Sequence, residues 1–296
     1  MKEPKKKKFS LQKFNAFDVI LYIFLVLFAF FCVYPMWYVF TGSFNEGLDY
    51  MKGGVWLFPR KFTLYNYYVA IQDKRLLIAF KNTILRTIIN TLCALTFTSL
   101  TAYGMVHPKF RLRKLYYGLS IFTMFFSGGL VPTFMVITKL GFYNSFWVYV
   151  IPSMYSVYNM IIFSTFFQSI PSEIRESAEM DGAGELTIFF RIFVPLSKPV
   201  FATIGLWLII GNWNSYMATM IYTSDESLLT LQYYLMGLIK QSLNVDVIDD
   251  PSILDKVNST TLTYASIIIA TLPILVVYPL IAKNFTKGMM LGSVKG

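Results

Sequence analysis

Six windows of this 296-residue chain carry no charged side chain: 19–45, 87–108, 115–138, 140–172, 199–224 and 257–282. Each exceeds the ~20 residues that a helix needs to cross a bilayer. In hydrocarbon, backbone N–H and C=O groups must be paired within their own segment, so windows of this length read as helices and not as open sheet. The pattern predicts helices near 19–41, 82–106, 115–138, 147–169, 200–222 and 262–283, an all-α polytopic fold with six transmembrane helices. Only 14% of the residues are charged and mean hydropathy is +0.54, whereas a soluble domain carries about a quarter charged residues.

The formal net charge of +10 would suit nucleic acid or an anionic leaflet, and its distribution favours the leaflet. Lys2, Lys5, Lys6, Lys7, Lys8 and Lys13 precede the first window, interleaved with Phe9, Leu11, Phe14 and Phe17. Residues 1–18 therefore read as a basic, amphipathic lead-in, either lying on an anionic surface or simply fixing orientation. Segments 1–18, 107–114, 171–198 and 283–296 hold 6, 4, 3 and 3 Lys plus Arg, or 16 of the 26. The positive-inside rule then makes the N-terminus cytosolic, and six spans return the C-terminus to the same side, in the plasma membrane. Loop 223–260 supports this, with Asp225, Glu226, Asp246, Asp249, Asp250 and Asp255 against Lys240 and Lys256. The organisation predicted is a lead-in 1–18, a membrane domain 19–283 with exterior loops 42–80 and 223–260, and a cytosolic tail 284–296. No separate domain remains to bind nucleic acid.

Between the fourth and fifth windows lies a hydrophilic stretch, Ser172 to Glu185. Ser172 after Pro171 is a good N-cap, Glu173 falls where a carboxylate meets the positive helix end, and Asp181-Gly182 is a C-terminal stop. A second short helix is expected from Glu185 through Ile192, ended by Pro195. Helix, glycine-containing bend and helix between two spans make an element that protrudes and can dock on something outside the membrane.

Polar groups inside the spans are costly and must face helices or a pathway. Ser153, Ser156 and Asn159 fall at helical spacing, beside Tyr155 and Tyr158, and serve either as inter-helix contacts or as pathway lining. Asn212, Trp213, Asn214 and Tyr216, with Ser215 and Thr219, offer an aromatic surface beside amides and hydroxyls, which matches a sugar. An interfacial anchor explains the same residues. Ser127-Gly128-Gly129 before Pro132 loosens the third helix, for close packing or for a wet cavity. Arg86 reaches headgroups or a polar cavity. Trp56 to Pro59 and Tyr65 to Tyr68 read as an interfacial belt or an external contact.

Other chemistry is poorly supported. Cys32 and Cys93 sit in apolar runs, and a lone His107 gives no poly-histidine metal site. No pair of acids lies within the spans, as ion-coupled carriers usually need. No phosphate-binding loop is present, so nucleotide chemistry would belong to a partner.

Glu176-Ser177-Ala178, three residues, Gly182, nine residues and Ile192-Phe193-Val194-Pro195 resemble the "EAA" loop of binding-protein-dependent ABC importer permeases, with Ser177 for Ala and Val194 for Leu. Phe166 to Pro171, Trp213-Asn214 and the ending Gly288 to Gly296, with Ser293-Val294-Lys295-Gly296, look like the carbohydrate branch, in particular the second membrane subunit of maltose-type importers. Phe126 to Thr133 is similar to the subgroup that serves oligosaccharides and polysaccharide fragments, including alginate and lipo-oligosaccharide-type systems. The resemblance implies a type I ABC importer permease fold and a non-enzymatic subunit importing a carbohydrate. It implies a homologous second permease, two cytosolic ATPases that hold ATP and Mg2+, and an extracytoplasmic solute-binding protein. This chain would bind no cofactor and no metal. Glu173, Glu176, Ser177, Ala178, Asp181, Gly182, Ala183 and Gly184 would form the ATPase-coupling segment in loop 171–199. A permease for a non-sugar solute, or an ion-coupled carrier, are the alternatives.

Overall fold

The computed structural model describes residues 15–243 and 258–292. The basic lead-in through Lys13, the acids Asp246, Asp249, Asp250 and Asp255, and the ending Ser293 to Gly296 lie outside the described residues. Among the described residues the chain is helical, and its β pairing is one isolated bridge, Asn45–Phe62.

Three helices are long and apolar enough to cross a membrane unbroken: α1 (Ala16–Ser43), α4 (Lys74–Val106) and, to Pro279, α14 (Ser259–Gly292). Short helices α2 (Gly47–Met51) and α3 (Tyr65–Gln72) lie between α1 and α4. Three further helix pairs are bent at short breaks, Arg113–Phe125 with Leu130–Lys139, Phe146–Ser153 with Val157–Gln168 and Glu185–Leu196 with Lys198–Asn214, which corrects the expectation of single unbroken helices over these windows.

The third window divides into α5 (Arg113–Phe125) and α6 (Leu130–Lys139), bent by 114°. Gly129 sits at the break with φ +88°, a conformation that side-chain-bearing residues avoid. Gly128 and Gly129 are exposed, so among the described residues this pair makes a corner and not a helix-packing seam. The fourth window opens with two 3-10 turns, Phe146–Tyr149 and Ile151–Ser153, before α7 (Val157–Gln168), with a 47° bend. Pro152 lacks an N–H and disfavours helix in the residue before it, which accounts for the late start.

After α7 come α8 (Ser172–Met180), α9 (Glu185–Ile188), a π turn at Phe189–Phe193 and α10 (Val194–Leu196). Pro195 does not end this run as expected. The wider π turn precedes it, and helical backbone persists to Leu196. The chain then turns by 83° into α11 (Lys198–Asn214), whose first turn accommodates Pro199. A break at Ser215 and Tyr216 separates α11 from α12 (Met217–Tyr222).

Loop 223–260 is not wholly a loop. Leu231–Leu243 forms α13, and Leu231, Tyr234 and Leu235, at one-turn spacing, are buried on its inner face.

Two apolar cores lie toward opposite ends of α4. At one end Ala102, Tyr103 and Met105 pack with Met160, Phe163, Phe167, Phe189 and Phe193 beneath α8. At the other, Leu76 and Ala79 pack with Trp213, Leu231, Tyr234 and Ala265. α4 packs against both α7 and α11, so it is the rod that joins the two ends. α1 packs along α14 and leaves most of its apolar surface exposed, as suits a lipid- or partner-facing span.

Candidate functional site

The helix α8 is amphipathic in charge as well as apolarity. Arg175 and Ala178 face the body, with Arg175 6% and Ala178 8% exposed. Glu173, Ile174, Glu176, Ser177, Met180 and Asp181 face outward, and Met180 is 88% exposed. Pro171, not Ser172, occupies the N-cap position, and Ser172 is the first helical residue. Its hydroxyl therefore does not cap the helix, and Glu173 in the first turn supplies the favourable charge.

The C-terminus forms as the sequence predicts. Gly182 has φ +77°, its N–H donates to the Glu179 carbonyl at 3.0 Å, and the Ala183 N–H donates to the Ala178 carbonyl at 3.0 Å. These two bonds make a Schellman cap. A Cβ at Gly182 would meet nothing within 4 Å, so backbone conformation alone demands the glycine.

Beneath α8 is a network that sequence reading missed. The Arg175 guanidinium donates from Nε to Glu179 Oε1 at 2.8 Å and from Nη2 to both Glu185 oxygens, at 2.9 and 2.8 Å. It stands 5.4 Å from the Tyr103 ring centroid. The Tyr103 hydroxyl donates to Glu185 Oε2 at 2.7 Å, and His107 Nε2 lies 2.9 Å from Glu185 Oε1. Lys109 reaches Glu179 at 3.6 Å. Burial pushes the Glu185 carboxyl up, but hydrogen bonds from His107 and Tyr103 and the charge of Arg175 outweigh it and hold it at about 2. Glu179 is likewise held below the usual range, first by its bond from Arg175.

Tyr103 lies in the last turn of α4 and His107 is its C-cap, so this network fastens the protruding loop to the central rod. A signal existed in the sequence: Arg175 is the lone cation among the acids of the stretch 172–185. His107, Glu179 and Glu185 place ligand-type atoms within 4.8 Å of one another, but the guanidinium already occupies both carboxylates.

The expected pathway residues divide into two groups. Ser153 belongs to a 3-10 turn and Ser156 is the N-cap of α7, accepting from the Asn159 N–H at 3.3 Å, so the three do not form one helical stripe. Ser153 instead accepts from Asn90 Nδ2 at 2.7 Å, and Asn212 Nδ2 donates to Asn90 Oδ1 at 2.8 Å. Asn90, which sequence reading passed over, thus joins α4, the 3-10 corner and α11 through buried amides. Trp213 is buried and donates to the Ala270 carbonyl at 3.1 Å. Asn214 and Tyr216 are exposed, and Asn214 accepts from Gln232 at 3.3 Å. Trp207, one face of the same helix further in, stacks on Tyr158 at 6.4 Å with both rings half exposed. Arg86 is 4% exposed and donates from Nη1 to the Ser215 carbonyl at 3.0 Å, a group freed by the α11–α12 break.

Residues 94–291 match the family profile described as binding-protein-dependent transport system inner membrane component. The chain belongs to that family. The permease is 38% identical over 291 residues to the polygalacturonan/rhamnogalacturonan transport system permease of Bacillus subtilis, covering 96% of this chain and 100% of the relative. Among solved structures it is similar, at 29% identity and a TM-score of 0.87, to a chain of a bacterial ABC transporter involved in the import of the acidic polysaccharide alginate. That match covers 94% of this chain and 99% of the other. A second likeness, at 16% identity and a TM-score of 0.62, concerns the fold alone. It covers 89% of this chain and 91% of one in a bacterial alginate ABC transporter in complex with alginate pentasaccharide-bound periplasmic protein. The matched span 94–291 includes the whole of α8 and its network partners Tyr103, His107 and Glu185.

Proposed function

We propose that the chain is the membrane-spanning permease subunit of an ATP-driven importer for a carbohydrate, an oligosaccharide or polysaccharide fragment. Six spans, three of them bent pairs, cross the plasma membrane with both termini in the cytosol. A homologous second permease completes the pathway. Two cytosolic ATPases bind ATP and Mg2+, and an extracytoplasmic binding protein delivers the sugar. The chain itself carries out no chemical step.

The observation that carries this reading is α8, fixed on its inner face to α4 and bare on its outer face. The outer face, with Glu173, Glu176, Ser177, Met180 and Asp181, is what an ATPase groove receives. Gly182 sets the turn, and Ala183 and Gly184 carry the chain away from it. Ala178 packs inward and keeps the helix seated. ATP binds the closed ATPase dimer preferentially and so shifts the equilibrium between states. The coupling helix follows that closure, and Arg175 and Glu185 convey the displacement to α4. The rod then moves the far end, where the binding protein releases its cargo between the two permeases.

Purification of the tagged chain in mild detergent tests the assembly. The expected result is co-purification of a nucleotide-binding ATPase and a second permease in stoichiometric amounts. A chain that purifies alone, and supports uptake that a protonophore dissipates, would contradict it.

A further inference from the structure

Arg86 is a buried cation without an anion. Among the described residues no carboxylate pairs with it, its Nε has no hydrogen-bond partner, and its polar contact is the Nη1 bond to Ser215. The guanidinium lies 5.1 Å from the Tyr149 ring centroid. A charge inside a membrane span is costly, and such groups mark pathways more often than scaffolds. Holding one backbone carbonyl requires only a neutral donor, so the Ser215 bond does not explain why the residue is charged.

The geometry of what is left unfilled is specific. With Nη1 engaged, the buried Nε is left without a partner, and Nε lies on the side-on edge with which a guanidinium grips a carboxylate through two parallel N–H···O bonds. Both contacts of Arg86 are also at interruptions in helices: Tyr149 in the 3-10 corner before α7, and Ser215 between α11 and α12. Exposed Asn214 and Tyr216 flank Ser215, and the Tyr158–Trp207 stack joins α7 to α11 further in. Aromatic faces suit the C–H surfaces of a pyranose and amides suit its hydroxyls, and a lone fixed cation adds a preference for an acid.

We infer that Arg86 is a specificity-determining residue of this subunit, receiving the carboxylate of a uronic-acid unit as the cargo passes between the 3-10 corner and the α11–α12 break. In the conformation described the group is covered, so the contact forms when that break opens. The inference rests on the carbohydrate-importer reading above.

The test is uptake into proteoliposomes holding the complete transporter and its binding protein, with a galacturonic-acid trimer and its methyl ester as cargo. Wild type is compared with Arg86→Gln, which keeps a donor for Ser215, and with Arg86→Lys, rates being normalised to assembled complex. Because the same binding protein serves every variant, its own preference cancels in the comparison. The free-acid over ester preference should fall by about tenfold or more in Arg86→Gln, the loss of one bidentate charge-assisted contact, and be partly kept in Arg86→Lys. If the ester is not carried at all, free-acid uptake kept by Lys and lost by Gln gives the same support. Arg86→Gln carrying the free acid at the wild-type rate, or all variants losing both cargoes equally, would overturn the assignment and leave the importer reading intact. A wild-type complex that carries neither cargo and copurifies with no ATPase would remove the importer reading itself.

Discussion

Two arginines of this permease are buried to nearly the same degree, Arg86 at 4% and Arg175 at 6% exposed, and their surroundings are opposite. Arg175 meets two carboxylates and the face of a tyrosine, and through Glu185 it is tied to His107 as well. Arg86 has one carbonyl and one ring. Taking a guanidinium out of water costs several kcal/mol unless charge and hydrogen bonds are restored, so only Arg175 is placed to stabilise the fold. The difference teaches where each arginine acts. A charge paired with two carboxylates makes a rigid joint, which a force-bearing loop needs. A charge left open on one edge remains available to something that arrives later.

The largest effect is expected at the Arg175 joint. Arg175→Met would leave Glu179 and Glu185 without the cation they share, costing about 1.5–3 kcal/mol of loop docking, the range for hydrogen bonds to charged groups. Membrane insertion should survive, uptake should be lost, and limited proteolysis should open the chain within 172–196. Undiminished uptake would show that the joint is dispensable. Gly182→Asp comes next, since a side chain in the left-handed region costs about 1–2 kcal/mol. It also adds a carboxylate beside Asp181 at the unfavourable helix end. Insertion is expected to be normal, with ATP hydrolysis no longer linked to transport, measured as ATPase activity against sugar flux.

Acid gives a gentler perturbation of the same joint. The folded Glu185 carboxyl titrates at about 2 against an ordinary value of 4.5. A depressed carboxyl contributes stability that is present in full above its ordinary value and is lost as pH falls through the folded one. The loop should therefore hold its protection against hydrogen exchange down to about pH 4.5 and lose it toward pH 2, by a modest amount because Glu185 is 48% exposed. The smallest change in stability is expected at the other arginine. Replacing a buried charge by an apolar side chain of similar length is often neutral or stabilising, so Arg86→Met should hold or raise the unfolding temperature of the purified complex. A drop comparable to that of Arg175→Met would erase the distinction between the two.

What could be read from the sequence follows from the range of the interactions involved. The α8 cap was legible because Asp181-Gly182 acts through neighbouring backbone atoms. The Arg175 network was not, since its partners Tyr103 and His107 come from a different span and no periodicity links them to Glu185. Long apolar windows showed where helices lie, but they hid the breaks. Residues 146–153 and Ser215 are as apolar or small as the helices around them, and a bend inside hydrocarbon leaves hydropathy unchanged. The Ser127-Gly128-Gly129 run did announce a loosened helix, although not that it would turn through 114°. In the fifth span, residue type alone grouped Asn212, Trp213, Asn214 and Tyr216. The fold separates them: Asn212 and Trp213 are spent on neighbouring helices, while Asn214 at the end of α11 and Tyr216 in the break after it are exposed.

Site-specific photo-cross-linking in the assembled transporter bears most directly on the two-faced helix. A photoreactive residue at Met180, on the bare face, should capture the ATPase subunit in high yield, and one at Trp207, far along α11, should not. Capture from Trp207 but not from Met180, or from neither, would contradict the account.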